Sequence, residues 1–204
     1  LYTGADLGGF GADTTEDLVL RWMQFGLFTP LMRNHSALGT REQELYQFSN
    51  SKACGNMIKI RYSLLPYLYS EYMKAALRDE MMFRPLAFDY PEDSFADQVE
   101  DQLMVGDSIM VAPVHEQNAA GRYVYLPEDM MLVTMRTPED YDVRVMEKGH
   151  HYVPAAMEEL IFFIRKNHVI PVAKSARSVA DMDFEHLDLL GYVTDKAAYE
   201  LYDD

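Results

Sequence analysis

Residues 4–12 read GADLGGFGA, and four glycines fall within eight positions. They stand between a short apolar stretch and a segment of helical character. The chain therefore passes from strand to helix through a turn nearly free of side chains. Strand, glycine-rich turn and helix is also the layout of a phosphate-binding loop. Such a loop needs backbone N–H groups facing an anion, and usually a lysine or the spacing G-x-G-x-x-G. Neither is met. No Lys or Arg occurs between Leu1 and Leu20, and Asp6 stands mid-loop, where its charge opposes a phosphate. A carboxylate at the carboxyl end of a strand is better suited to accept hydrogen bonds from hydroxyls, or to hold an arginine. In a β/α barrel, active sites are built at that end of the strands.

The rest of the first half repeats the pattern. Asp13-Thr14-Thr15-Glu16 reads as a capping box, and Leu18, Trp22 and Phe25 follow at helical spacing as one apolar stripe. Gly26 and Pro30 end that helix. LFTPLMR reads as a buried strand, and Thr40 with Gln43 resembles a second capping box, predicting a helix up to Phe48. Residues 56–79 are helical in period, with Ile60, Leu64, Tyr67, Leu68 and Tyr72 on one side. Pro66 is predicted to kink or divide that helix. Strand, helix, strand, helix is a β/α pattern with a parallel sheet.

From Met81 the character changes. FRPLAFDYP, DSIMVAPV, GRYVYLPE, DVRVMEK and HHYVPA are short segments separated by Pro, Gly or acidic residues. This spacing predicts an antiparallel β-sandwich, with residues 159–165 either a short helix or an apolar strand. The expected division is 1–80 as α/β and 81–204 as all-β.

Arg33-Asn34-His35-Ser36 follows the second strand, so His35 is expected at the same rim as Asp6. Phe10 offers an apolar face nearby. Sugar rings pack their C–H faces on aromatics, so carbohydrate suits this set. Taken singly, Asp6 also reads as a turn-forming residue and His35 as a structural histidine. Composition narrows the classes further. A net charge of -15 disfavours nucleic acid. No apolar run approaches the roughly 18–20 residues of a membrane-spanning helix, and the first residues lack a basic segment followed by an apolar one. Cys54 is the only cysteine, which excludes an internal disulfide and suits a reducing, cytoplasmic compartment. DYPEDSFADQVED reads as a solvated loop. His150-His151 and the run from Asp181 to Asp188 raise the question of a metal, but His186 stands where a calcium loop needs glycine. No metal and no cofactor are expected.

GADLGGF followed by RWMQFGLFTPLMRNHS resembles glycoside hydrolase family 31, the α-glucosidase family, in its Gly-Ala-Asp-x-Gly-Gly-Phe loop, its Arg-Trp-x-Gln-x-Gly helix and its Arg-x-His-Ser strand end. QLMVGDSIMVAPV, RYVYLP and FFIRKNHVIPVA are similar to the family's following β-sandwich, and LYDD to the entry of its distal β-domain. The resemblance implies that residues 1–80 are the last two units of a (β/α)8 barrel and that 81–204 form the proximal sandwich. It implies that Asp6, Phe10, Arg33 and His35 line the pocket for a non-reducing glucose, with oligosaccharide α-glucosides as substrate. Arg21 and Trp22 match the helix, and Trp22 reads as core. Two stretches depart from the family: Glu44-Leu45-Tyr46 replaces Glu-Pro-Trp, and MMLVTMRTPEDYDVRVMEKG lacks the usual Trp and Thr-Gly. Family members are retaining enzymes with two carboxyls about 5–5.5 Å apart. Those aspartates belong to earlier strands and are not expected in this chain. Both ends read as cut from a longer polypeptide, so the expected partner is the complementary part of the same enzyme or a second copy. The alternative is a non-catalytic β-rich module that binds carbohydrate or a protein.

Overall fold

The computed structural model describes residues 3–203. The order begins β1 (Gly4–Asp6), α1 (Glu16–Gly26), β2 (Leu31–Arg33) and α2 (Ser51–Arg78). β1 and β2 are parallel, with Gly4 opposite Leu31 and Asp6 opposite Arg33. Gly4 is required by that approach, because a Cβ there would lie 2.4 Å from the Leu31 carbonyl oxygen. Gly8 has φ +88, and its Cβ would lie 2.7 Å from Val19 Cγ2. Gly4 and Gly8 are thus close-packing positions.

Five local expectations are corrected. The N-cap of α1 is Thr15, whose hydroxyl accepts from the Leu18 N–H at 3.2 Å; Asp13 instead accepts from the Arg41 N–H at 2.6 Å. The face of α1 turned inward carries Val19, Leu20 and Met23, while Leu18 is exposed and Trp22 and Phe25 are half-buried against the core. β2 is not buried: Leu31 and Arg33 are exposed and Met32 half-buried. Residues 40–48 form only a single 3-10 turn at Leu45–Gln47. α2 starts at Ser51 and runs 28 residues through Pro66 without dividing, its missing donor tolerated within an otherwise continuous helix. Asp79, in the left-handed region at φ 56, ends it.

The second half follows as β3 (Phe83–Pro85), α3 (Leu86–Asp89), β4 (Leu103–Val105), β5 (Ile109–Val111), β6 (Gly121–Leu126), β7 (Met130–Thr137), β8 (Asp140–Met146), β9 (Gly149–Pro154), β10 (Leu160–Arg165), β11 (His168–Val172) and β12 (Asp188–Tyr192). Every pairing among these strands is antiparallel. Six form one sheet in the order β3-β4-β5-β10-β7-β8, and β6-β9 and β11-β12 form two-stranded sheets. Residues 160–165 are the strand of the two alternatives. Residues 160–164, LIFFI, are apolar without a break because β10 is central and buried on both faces. Leu160, Phe162 and Ile164 face α1 and α2, while Ile161 and Phe163 face β6 and β9. β7 alternates likewise, with Met131, Val133 and Met135 on the helical side and Met130 and Leu132 on the other. The acidic stretch is mostly exposed, as expected of a solvated loop, with Asp93 its anchored residue. Asp93 accepts from Tyr125 Oη at 2.7 Å and Lys148 Nζ at 2.6 Å, and these bonds hold its carboxyl well below the usual range.

α2 is fastened to the sheet by a buried phenol. Tyr67 Oη donates to the Val105 carbonyl at 2.6 Å and accepts from the N–H groups of Ser108 and Ile109 at 3.0 and 3.3 Å. Burial pushes this hydroxyl well above its ordinary pKa, so it stays neutral. Tyr67→Phe strands a carbonyl and two N–H groups in the core. It is expected to lower unfolding free energy by about 1–3 kcal/mol in urea titrations, with the far-UV spectrum unchanged.

Candidate carbohydrate site

The carboxyl ends of β1 and β2 bring the four sequence-predicted residues together as two pairs. Asp6 and Arg33 are opposite one another in the ladder. Arg33 Nε donates to Asp6 Oδ1 at 2.8 Å, and Arg33 Nη2 donates to the same oxygen. The carboxylate is thus held from one side by a planar guanidinium whose face remains open, with Arg33 52% and Asp6 21% exposed. Phe10 and His35 form the second pair, stacked with ring centroids 5.4 Å apart and 29° between planes. Phe10 is half exposed and His35 exposed. The set therefore offers an ion pair with spare hydrogen-bonding capacity beside an aromatic face and an imidazole. That chemistry suits a polyhydroxylated ring better than an apolar ligand.

The loops carrying these pairs are tied at the backbone. Leu7 N–H donates to the Arg33 carbonyl and Ala37 N–H to the Phe10 carbonyl, both at 2.8 Å. Between them lies a residue that sequence reasoning placed in a helix cap. Gln43 is buried, and its Nε2 reaches Asn34 Oδ1 at 2.8 Å and the carbonyls of Leu7 and His35 at 3.2 Å each. No pattern marks such a residue in sequence, because its partners are mostly backbone carbonyls of two distant loops.

Three concavities lie elsewhere. One, of about 440 Å³, is lined by Asp89, Tyr90, Asp93, Pro127 and Lys148; a second, of about 420 Å³, by Phe28, Pro30, Leu31, Arg61 and Tyr72; the third, of about 370 Å³, by Leu18, Trp22, Phe25, Asp101 and His115. None of the four rim residues lines any of them. Among the described residues no group of three or more His, Cys, Asp or Glu is arranged to hold a metal. Cys54 is fully buried, and burial pushes its thiol up, away from nucleophilic character.

Arg21 and Gln24 of the Arg-Trp-x-Gln segment serve a different purpose. Arg21 donates to the carbonyls of Ala119, Ala155 and Ala156 at 3.0–3.1 Å, and Gln24 to that of Met157 at 2.7 Å. They dock α1 onto the β-rich half.

An ion pair this exposed contributes little to folding. A double-mutant cycle of Asp6→Asn and Arg33→Met is expected to give a coupling of about 0.2–1 kcal/mol in denaturation, shrinking further in 1 M salt. A larger value would make the pair a structural element.

Residues 1–71 match the glycosyl hydrolases family 31 TIM-barrel domain, and residues 79–170 the glycosyl hydrolase family 31 C-terminal domain. Alpha-glucosidase 2 of Bacillus thermoamyloliquefaciens is 34% identical over 208 residues, which cover 100% of this chain and 26% of that protein. Lysosomal alpha-glucosidase of Bos taurus is 33% identical over 199 residues, covering 91% of this chain and 21% of its own. The solved GH31 dextranase of Flavobacterium johnsoniae, complexed with isomaltotriose, matches at a TM-score of 0.75 and 27% identity, over 88% of this chain and 22% of its own. The chain thus spans about a quarter of the length of these relatives. With barrel and C-terminal domains both matched in order, this chain belongs to glycoside hydrolase family 31.

Proposed function

We propose that this chain is the end of the catalytic barrel and the following β-domain of a retaining α-glucosidase, which removes terminal non-reducing α-linked glucose from oligosaccharides. In this reading residues 1–80 are the last two β/α units and 81–204 a proximal β-sandwich, in a cytoplasmic enzyme. Asp6, Phe10, Arg33 and His35 form part of the sugar pocket. The observation that supports it most is the convergence of a charged pair and a stacked aromatic pair at the carboxyl ends of two parallel strands.

The chemistry divides between this chain and the rest of the enzyme. One carboxylate attacks the anomeric carbon and a second protonates the leaving oxygen, then activates water. Both come from outside residues 1–204. Here Phe10 walls the pocket and His35 bonds a sugar hydroxyl. Asp6 accepts from a second hydroxyl while Arg33 fixes its orientation. Such bonds raise kcat only where they tighten as the ring flattens towards the oxocarbenium-like state. Exposed Leu18, Leu31 and Leu38 then belong to faces that the remaining barrel covers, and the isolated chain is expected to self-associate or bind that part.

Two measurements test this. The isolated chain should hydrolyse no aryl α-glucoside above background. In the complete enzyme His35→Ala should lower kcat/KM by about tenfold to a thousandfold, in kcat as well as KM. His168, whose Nδ1 lies 2.9 Å from the Lys166 carbonyl in the β-rich half, is the control, and His168→Ala should leave turnover nearly intact. Equal, small effects from both would make His35 a structural histidine. Turnover on maltose, isomaltose and an aryl α-xyloside would then fix linkage and sugar preference.

A further inference from the structure

Gln43 has more to hold than a loop. Its side chain is 4% exposed, and four acceptors from two loops surround its Nε2: Asn34 Oδ1 at 2.8 Å, the Leu7 and His35 carbonyls at 3.2 Å and the Gly9 carbonyl at 3.5 Å. Asn34 Nδ2 returns a bond to the Gln43 carbonyl at 2.7 Å. An –NH2 group carries two hydrogens, so both loops share one donor. The placement of those acceptors matters. Leu7 directly follows Asp6, Gly9 directly precedes Phe10, and Asn34 lies between Arg33 and His35. One amide therefore touches the backbone next to Asp6 and Phe10, the backbone of His35, and the side chain of Asn34, the neighbour of Arg33.

The other end of the amide carries no such duty. Gln43 Oε1 is buried without a hydrogen-bond partner, so nothing on the oxygen side dictates how the group is turned. The donor side sets the geometry. Without it, carbonyl oxygens of two loops would face one another with no hydrogen between them, and only the Leu7 and Ala37 amides and the exposed ion pair would join the loops.

We propose that Gln43 is a positioning residue for sugar turnover: it fixes the spacing between the Asp6–Phe10 loop and the Arg33–His35 loop, and so the separation of the ion pair from the imidazole. This rests on the reading of those four residues as part of the sugar pocket. Misplacement of binding groups by about 1 Å can reduce turnover about a hundredfold, because the transition state demands closer alignment than the ground state.

The test uses Gln43→Met, which keeps chain length and apolar volume but has no donor, in the complete enzyme on an aryl α-glucoside. The expected result is a fall in kcat of about tenfold to a hundredfold with KM changed about threefold or less, a split that loss of folded protein alone does not produce. Hydrogen exchange on the same variant should show the amides of Leu7 and Ala37, which carry the remaining cross-loop bonds, exchanging faster while those of α2 are unchanged. Asn34→Ala, at an exposed position that tolerates truncation, removes two bonds of the same clamp and should shift kcat in the same direction by less. Unchanged kcat in both variants, with His35→Ala still impaired, overturns the role of Gln43 and leaves the pocket intact. Exchange that quickens throughout the chain also overturns it, as general destabilisation. If His35→Ala is itself fully active, the pocket reading fails, and this proposal with it.

Discussion

The packing of α2 against one face of the six-stranded sheet is the contact from which the rest of the structure hangs. Ile60, Leu64, Tyr67 and Leu68 from the helix share a single apolar cluster with Val105, Val111, Val133, Phe162 and Ile164 from the sheet. That cluster also takes in Val19, Leu20 and Met23 of α1. The β/α segment and the β-rich segment therefore do not stabilise themselves separately; each completes the other's core. Burying such side chains is worth about 1.5–3 kcal/mol apiece, which outweighs any single polar contact on the surface. The buried polar ties are registration marks on this apolar contact. The Tyr67 hydroxyl allows one position of α2 on the β4–β5 turn, and Arg21 with Gln24 allows one position of α1 on the loop before β10.

Because stability is lodged behind the strands, their carboxyl ends are free of it. β1 and β2 are three residues each, and their outward ends carry exposed polar and aromatic groups rather than core. A rim of this kind can hold groups whose arrangement serves a ligand and not the fold. The protein's net charge of -15 is consistent with that. An acidic field repels phosphates, but it neither gathers nor repels a neutral sugar, whose recognition depends on short-range bonds and ring stacking.

Local chemistry made much of this legible in the sequence. The glycine-rich turn could be denied to phosphate from Asp6 and the missing lysine. Two of its glycines are explained by contact, since Gly4 and Gly8 sit where a Cβ would strike Leu31 or Val19, and Gly9 by its backbone, at φ +88 in open space. The long helix could be read because its apolar side is continuous from Ile60 to Tyr72, but its start at Ser51 and its passage through Pro66 without dividing could not. What could not be read depends on partners far along the chain. Leu18, Trp22 and Phe25 form as good a stripe as Val19, Leu20 and Met23, and only the position of the sheet decides which faces in. β10 was ambiguous because burial on both faces erases the alternation that marks a strand. Residues 40–48 carry capping chemistry, yet their polar groups are used elsewhere: Thr40 on the Ala37 carbonyl of its own loop, Arg41 on that of Thr14 and Gln43 on the rim.

The nature of the clamp explains why so plain a residue could govern so exposed a site. Two kinds of bond join the rim loops, one charged and one neutral. The Asp6–Arg33 pair is open to solvent, so salt screens it and its geometry is free to adjust when a hydroxyl competes for the carboxylate. The amide of Gln43 is buried, carries no charge and meets neutral acceptors, so neither salt nor pH alters it across the range in which the protein is folded. A site built only of exposed ion pairs would hold its groups loosely, and one built only of buried amides would offer a ligand nothing to bind. A buried neutral bond beside an exposed charged one joins the loops at two depths, and leaves the exposed groups free to adjust.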